Sequence, residues 1–289
     1  MSFQPPHAAL LAYRTYGGWG VQRPEHGTLG RYSPDMTKLL PDGRTFALTL
    51  RLDRAAYQLY RELGASHEQA LHNSLLCPAW AGLHNAPGHG SWEIELQAPS
   101  SDRVELVAML WPQNDREWPL GEINFVEGRV GSGQTLTNLH WPDPETGSPD
   151  HSPEEIHLDV TQWHHYQVDI DPGHVRWFVD GRLRRELHTP HAPHDVPVHL
   201  VVQAGVNPAI RDDWHDDFEW EQNILFRPLR APSCHAPDRT MAGAPTPTGP
   251  LRGPEKETGR GVERHGETLP SGSFTSPTSS AARMCRPRS

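Results

Sequence analysis

The chain has 289 residues, of which 35% are hydrophobic and 29 are proline, and its formal net charge is −10. This length allows one large domain with additional segments, and the acidic balance argues against nucleic acid as the main partner. No apolar run approaches the ~20 residues of a membrane-spanning helix, so no membrane partner is expected.

The N-terminal segment, residues 1–20, reads MSFQPPHAALLAYRTYGGWG and lacks a basic region followed by a long apolar run. It is therefore not typical of an export signal. As written, the protein is expected to be cytoplasmic, and secreted if the N-terminus is incomplete. Cys77, Cys234 and Cys285 are too far apart to indicate a disulfide framework or a CxxC metal site.

Two different patterns follow each other between residues 45 and 75. TFALTLRLD predicts a strand, whereas apolar side chains recur with a helical period in AAYQLYRELGASHEQALHNSL. For the second stretch, a helix and a non-helical structure remain equal alternatives.

From Trp92 onward the pattern indicates β-structure. Short runs predict eight strands, which read SWEIELQAP, RVELVAMLW, GEINFVEG, TLTNLHW, HHYQVDI, HVRWFVD, RLRREL and VHLVVQAGV. Turn signals separate several of them, and the dipeptide Asp180–Gly181 between alternating runs predicts a two-residue hairpin. Many short strands without intervening helices indicate a sandwich or a jelly roll.

Residues 228–289 have a different composition. They contain ten prolines and a single aromatic residue, Phe274, and their net charge of +4 leaves −14 for the rest of the chain. Such a segment cannot bury enough apolar surface to offset its chain entropy. We therefore predict a folded domain over residues 21–227 and a disordered tail over residues 228–289.

The run GEINFVEG contains three polar side chains in an otherwise apolar strand. Glu122 and Asn124 share one face because alternate residues point the same way, whereas Glu127 joins them only if a one-residue bulge intervenes. Two carboxylates ~5–5.5 Å apart serve retaining glycosidases as nucleophile and acid/base. The spacing alone fits equally a solvent-facing edge strand with two unrelated glutamates.

This run resembles the bulged E-x-D-x-x-E signature of family 16 glycoside hydrolases, and it is preceded by WPLG. Four further pieces resemble strands of that family in the family's order, namely HGSWEIELQAP, TLTNLHW, QWHHYQVDIDPGHVRWFVDGR and VHLVVQAGV. The resemblance implies an all-β fold of the concanavalin A-like lectin/glucanase superfamily. That fold is a two-sheet antiparallel jelly-roll sandwich with a concave glycan cleft.

The same resemblance implies the chemistry. Glu122 would be the nucleophile and Glu127 the acid/base in the hydrolysis of a β-linked polysaccharide that is β-1,3-glucan-like. Asn124 stands where the family has Asp, and an amide can hydrogen-bond a carboxylate but cannot carry a charge or share a proton. We therefore expect impaired activity. The alternative is a non-catalytic, lectin-like glycan-binding protein on the same fold.

The residues implied for substrate binding are aromatic or polar side chains on strands near the signature. They are Trp111, Trp118, His140, Trp141 and Gln203, and for each of them packing or a structural role is the competing interpretation. Trp163 and Trp177 are expected in the core. The expected partner is a polysaccharide or an oligosaccharide, bound by a monomer.

Neither a cofactor nor a metal is expected. HTPHAPH spaces His188, His191 and His194 three apart, but its prolines indicate a loop without the preorganisation that zinc sites favour. The acidic run RDDWHDDFEWE offers oxygen ligands for Ca²⁺ but matches no known loop spacing. A solvated acidic loop is the favoured interpretation.

The resemblance weakens at the C-terminal end of the domain. The family closes its sandwich with a V-D-W-V-R-V-Y-like strand, whereas this chain offers only NILFRPLR after Gln222. Either WEQNILFRPL is a divergent closing strand, or a shift of the reading frame near Phe226 has removed the closing strand.

Overall fold

The computed structural model describes residues 14–15, 29–193, 195–207 and 220–232. Within these ranges the chain forms two α-helices and sixteen strands. The helices are α1 (Arg54–Glu62) and α2 (His67–Ser74). The strands are β1 (Arg14–Thr15), β2 (Arg31–Tyr32), β3 (Thr37–Leu39), β4 (Phe46–Leu52), β5 (Leu75–Cys77), β6 (Ala79–Ala86), β7 (Gly90–Gln97), β8 (Val104–Pro112), β9 (Ile123–Arg129), β10 (Gln134–Pro142), β11 (Pro149–His157), β12 (His164–Asp171), β13 (His174–Val179), β14 (Arg182–His188), β15 (Val198–Val206) and β16 (Glu221–Arg230).

The strands form two sheets, which confirms the predicted two-sheet architecture. The seven-stranded sheet has the order β1-β6-β15-β8-β9-β10-β11, and the nine-stranded sheet has the order β14-β13-β12-β7-β16-β4-β5-β2, with β3 paired to β4. The pairs are antiparallel except β2 with β5. The fold is therefore an all-β sandwich, as the strand pattern predicts.

The core lies between the two sheets, because one face of each central strand is apolar. Trp80 of the seven-stranded sheet packs edge-on against Phe226 of the nine-stranded sheet at 4.8 Å between ring centroids. Trp92 and Trp177 are completely buried in the same cluster. The prediction that Trp177 belongs to the core is confirmed.

Residues 54–62 and 67–74 are helical, which decides between the two alternatives left open by the sequence. The Asp53 side chain accepts a hydrogen bond from the Ala56 amide at the start of α1. Ser66 and Gln69 form a reciprocal capping box at the start of α2, and such a box satisfies amides that would otherwise lack partners. Neither of these helices, the only two α-helices among the described residues, is long and apolar enough to cross a membrane.

The predicted hairpin at Asp180–Gly181 is present between β13 and β14. Both turn residues have positive φ, 52° and 71°, as the tightest hairpin turns require. This turn ends an exposed hairpin at the edge of the nine-stranded sheet.

β16 is the closing strand, so the hypothesis that a frame shift removed it is wrong. It lies inside the nine-stranded sheet and pairs with β4 on one side and with β7 on the other. Phe226 and Ile224 point into the core and are completely buried. The strand continues to Arg230 and so passes the predicted domain boundary at residue 227. The rest of the predicted tail, from residue 233, lies outside the described residues.

β11 was not predicted. It carries Pro149 and Pro153 and is exposed along most of its length, because it is the edge strand of the seven-stranded sheet. Proline lacks the amide donor of a ladder and is therefore confined to such edges.

Candidate active site

A one-residue bulge in β9 brings Glu127 to the face that carries Glu122 and Asn124. Asn124 pairs with Asn138 of β10 and Glu127 pairs with Leu136, so two residues of β9, Phe125 and Val126, oppose the single residue Thr137 of β10. The ladder with β8 shows the matching irregularity between Ala108 and Met109. The bulge that the shared face requires is thus present.

The Asn124 amide joins the two carboxylates. Its Nδ2 donates to Glu127 Oε2 at 2.8 Å and faces Glu122 Oε1 at 3.4 Å. Since both contacts end at one nitrogen, these two oxygens lie no farther apart than the sum of the two distances. The pair is therefore compatible with the separation of ~5–5.5 Å that retaining glycosidases require.

Glu122 is held in a buried, polar pocket. Its Oε2 accepts a hydrogen bond from Trp118 Nε1, and His140 Nε2 lies 3.4 Å from its Oε1. Burial raises the pKa of Glu122 to about 7, the charge of Glu127 adds to the rise, and the Trp118 and Asn124 hydrogen bonds oppose it. Glu122 thus changes its charge near neutral pH.

Two histidines of the same face are neutral at pH 7. Burial lowers the pKa of His140 to about 4, and the neighbouring His151 lowers it further. Burial also lowers the pKa of His199 to about 4, and the neighbouring His84 lowers it further. Neutral imidazoles offer one donor and one acceptor each, so these rings are suited to bind hydroxyl groups.

Trp118, which contacts Glu122, lies beside a second tryptophan, Trp111. The rings of Trp111 and Trp118 stack at 6.2 Å between centroids with 21° between their planes. Trp111 also packs on a small apolar cluster of Ala81, Met109 and Val201, which is separate from the main core. This cluster lies on the face of the seven-stranded sheet that points away from the core.

Gln203 of β15 lies on the same face, and β8 separates its strand from β9, which carries Glu127. Gln203 pairs with Val107, which pairs in turn with Glu127. Its Oε1 is buried without a hydrogen-bond partner among the described residues, as are Asn124 Oδ1 and Asn138 Oδ1. Buried amide oxygens without a hydrogen-bond partner among the described residues therefore cross the sheet beside the two glutamates.

Two residues of this face were missed by the sequence reasoning, although the signal was present. Asn138 stands two residues before His140 in β10, and His199 stands four residues before Gln203 in β15. Alternation in a strand places each of them on the face of its predicted neighbour. Both are buried, at 4% exposure.

The second sheet supports the bulge through Trp177. Its indole Nε1 donates to the main-chain carbonyl of Asn124 at 3.0 Å. The guanidinium of Arg185 lies over the Trp177 ring at 4.5 Å and donates to the Thr137 carbonyl at 3.1 Å. A carbonyl at an irregular point of the ladder thus keeps a partner within the core, where an unpaired group would be costly.

Trp141 does not join the site. It follows His140 in β10 and so points to the opposite face, where it packs against the main core cluster and stacks on His191 at 5.0 Å between centroids. Of the two interpretations of Trp141, substrate binding and packing, its contacts agree with packing.

The two described histidines of HTPHAPH, His188 and His191, have different contacts. His188 contacts the hairpin residue Glu186, His191 stacks on Trp141, and His194 lies outside the described residues. The acidic run considered for Ca²⁺, with Asp212, Asp213, Asp216, Asp217 and Glu219, also lies outside them.

A family model described as glycosyl hydrolases family 16 matches residues 66–221, more than half of the chain. The chain belongs to family 16 of the glycosyl hydrolases. The matched range includes β9 and its bulge, and the resemblance found in the sequence is confirmed.

Two curated relatives are similar in sequence. A beta-glucanase of Paenibacillus polymyxa is 22% identical over 173 residues, which are 57% of this chain and 69% of the relative. The clotting factor G alpha subunit of Tachypleus tridentatus is 30% identical over 105 residues, which are 34% of this chain. The matched region spans only 15% of that subunit's length.

Among solved structures, LamA of Zobellia galactanivorans in complex with laminaritriose and laminaritetraose superposes with a TM-score of 0.57. It is 15% identical, and the match covers 80% of this chain and 95% of that chain. At this identity the likeness establishes the fold, which is the jelly-roll sandwich of family 16.

Proposed function

We propose that this family 16 protein hydrolyses β-linked glucans with retention of configuration, with Glu122 as nucleophile and Glu127 as acid/base. The observation that carries the proposal is the bulge of β9, which brings both glutamates to the Asn124 amide. The beta-glucanase relative and the laminari-oligosaccharide complex of LamA support the substrate class.

In the first step Glu127 protonates the glycosidic oxygen while Glu122 attacks the anomeric carbon, and the leaving sugar takes the proton. In the second step Glu127 removes a proton from water, which displaces Glu122 from the sugar. Asn124 holds the two carboxyl groups in place with its single amide nitrogen. It contributes no charge and no proton to either step.

The nucleophile must be ionised, and this sets the acidic limit of activity. Because burial holds the pKa of Glu122 at about 7, the neutral, non-nucleophilic form predominates below that pH. We therefore expect kcat/KM to rise as the pH increases through about 7, since kcat/KM reports ionisations of the free enzyme.

The remaining residues of the face serve binding. The indoles of Trp111 and Trp118 offer flat apolar surface for the C–H faces of sugar rings. Asn138 and Gln203 carry amide oxygens without a hydrogen-bond partner among the described residues, and His140 Nε2 lies beside Glu122. Sugar hydroxyl groups, which donate and accept, complement both kinds of surface.

The test is a reducing-sugar assay on β-1,3-, mixed-linkage β-1,3-1,4- and β-1,4-glucans, followed by proton NMR of the first product. We expect hydrolysis of a β-1,3-containing glucan and initial release of the β-anomer. Initial release of the α-anomer would show inversion and would remove Glu122 from the nucleophile role.

A lectin-like function is the second candidate, and the state of Glu122 favours it. A buried carboxyl group that stays protonated up to about pH 7 is well suited to hydrogen-bond a hydroxyl group without reacting. Isothermal titration with laminari-oligosaccharides, run beside the assay, separates the two functions. Binding without product at any pH from about 5 to 9 would establish the lectin.

A further inference from the structure

We propose that His174, Glu186 and His188 form a binding site for a Zn²⁺-class divalent ion on the β13–β14 hairpin. The ligand atoms of these three side chains all lie within 4.8 Å of one another. The site is independent of the proposed hydrolysis, since none of its residues belongs to the seven-stranded sheet that carries Glu122 and Glu127.

The register of the hairpin places the three residues on one face. His174 pairs directly with His188 across the antiparallel ladder, and Glu186 precedes His188 by two residues on the same strand. Val175 and Trp177 of β13 point into the core, so their alternating neighbour His174 faces outward. The three side chains therefore share the outer face of the nine-stranded sheet.

The side chains are already arranged around one carboxylate. His174 Nε2 lies 2.8 Å from Glu186 Oε1 and His188 Nε2 lies 3.9 Å from the same oxygen. The two imidazole rings are stacked, with 4.3 Å between centroids and 6° between planes. Both Nε2 atoms thus approach the same oxygen, and a metal bonded to all three atoms requires only rotations of the outer side chains.

The donor set selects the class of metal. Two imidazoles and one carboxylate suit Zn²⁺, with ligand bonds of ~2.0–2.2 Å and a fourth position left for water. Ca²⁺ and Mg²⁺ prefer sets made of oxygen ligands. The nearest cationic side chain, Arg176, pairs with Glu186 across the ladder but is engaged by Asp171 at 2.9 Å and by Asp169 at 3.8 Å. Its charge is therefore largely offset by carboxylates.

The location suggests what the ion does. β14 is the edge strand of the nine-stranded sheet, and His174 and His188 lie at the end of the hairpin farthest from its Asp180–Gly181 turn. An ion bound there joins the first residue of β13 to the last residue of β14. Such binding stabilises the folded state in proportion to the logarithm of the metal concentration.

The experiment measures Zn²⁺ binding to the chelator-treated full chain by isothermal titration, and thermal unfolding with Zn²⁺ or Ca²⁺. The variants are His174→Gln, His188→Gln and the matched control His165→Gln. His165 lies on the same outer face and contacts one carboxylate, Glu93, at 3.1 Å, but does not belong to a cluster of three ligand side chains among the described residues. Loss of an outer-shell partner already costs ~10- to 100-fold in metal affinity.

We expect one Zn²⁺ per chain and a higher Tm with Zn²⁺ than with Ca²⁺, both retained by His165→Gln. His174→Gln and His188→Gln should each lower the Zn²⁺ affinity at least about tenfold and remove the rise in Tm. Equal affinity in all four proteins, or no difference between Zn²⁺ and Ca²⁺, would overturn the proposal. Since these side chains are on the surface, the metal-free Tm of each variant verifies that it folds.

Discussion

The two outer faces of the sandwich treat histidine in opposite ways. On the outer face of the nine-stranded sheet, His165 and His174 each lie beside a carboxylate, at 3.1 and 2.8 Å. On the seven-stranded sheet, both ring nitrogens of His199 are buried without a hydrogen-bond partner among the described residues, and His140 Nε2 has only the Glu122 carboxylate at 3.4 Å. Burial lowers the pKa of both of these histidines to about 4.

The outer histidines of the nine-stranded sheet are thus paired within the protein, whereas the ring nitrogens of His199 are not. A buried polar group without a partner costs about 1–3 kcal/mol, and the seven-stranded sheet has several of them beside Glu122. The paired groups of the other sheet carry no such cost. We interpret the outer face of the seven-stranded sheet, which carries Glu122, as the binding face.

The largest effect is expected from Glu122→Gln. Without a nucleophile, turnover should fall by more than the ~10²–10⁴-fold that general acid–base catalysis contributes, while oligosaccharide affinity changes little because Trp111 and Trp118 are intact. Glu93→Gln, which alters a paired carboxylate of the other face, is the control and should leave turnover unchanged. Hydrolysis by Glu122→Gln at the wild-type rate would remove Glu122 from the chemistry.

The sequence was sufficient to predict most of the strands but not all of their contacts. VHLVVQAGV matches β15 residue for residue because its apolar positions are bounded by clear turn signals. β11 was missed because its two prolines mask a strand that only an edge position allows.

Long-range contacts lie beyond such pattern reasoning. The hydrogen bond from Trp177 to the Asn124 carbonyl joins residues that are 53 positions apart in the chain, and no local pattern encodes it. The face taken by Trp141 could not be predicted for a related reason. The resemblance indicated that Trp141 lies on a strand near the signature, but not that its side chain packs against the main core cluster.

The next largest effect concerns stability and pH. The pKa of Glu122 is about 7 in the folded state against 4.5 for an ordinary Glu, so the folded state binds the proton more tightly. The contribution of Glu122 to stability is then greatest below about pH 4.5 and falls as the pH rises to about 7, by at most roughly 3–4 kcal/mol at ~1.4 kcal/mol per pKa unit.

Glu122→Gln should remove this loss, so that the variant becomes more stable than the wild type above about pH 7. Urea unfolding at several pH values measures the difference. Parallel curves for the two proteins over that range would show that Glu122 is not the group whose ionisation is penalised by burial.

A smaller effect is expected from Trp177→Phe, which removes the donor to the Asn124 carbonyl but keeps an aromatic ring. Loss of that partner should lower the free energy of unfolding by about 1–3 kcal/mol. Because the bulge then holds the glutamates less firmly, kcat should fall about tenfold, which corresponds to ~1.4 kcal/mol of activation free energy. KM should change little. The matched control is Trp92→Phe, because Trp92 is equally buried and its Nε1 has no hydrogen-bond partner among the described residues. Equal losses of kcat in both variants would reduce the role of Trp177 to packing.

The smallest effect is expected from Asn124→Asp. A third carboxyl group beside Glu122 and Glu127 makes loss of the last proton more costly, so both limbs of the pH–rate profile should move to higher pH. Partial recovery of acid–base catalysis should raise the optimal rate about tenfold. Asn138→Asp adds the same charge across the ladder without bridging the pair and should give no gain. No gain from Asn124→Asp between about pH 4 and 9 would show that the amide does not limit the site.

The central claim is that Glu122 is the nucleophile, and covalent trapping tests it most directly. The chain would be treated with an activated 2-deoxy-2-fluoro-β-laminaribioside, digested with trypsin and analysed by tandem mass spectrometry. Both glutamates fall in one tryptic peptide, Glu117–Arg129, so fragmentation must locate the sugar within it. We expect the adduct on Glu122, formed faster as the pH rises to about 7. An adduct on Glu127, or hydrolysis of glucan without any adduct, would contradict it.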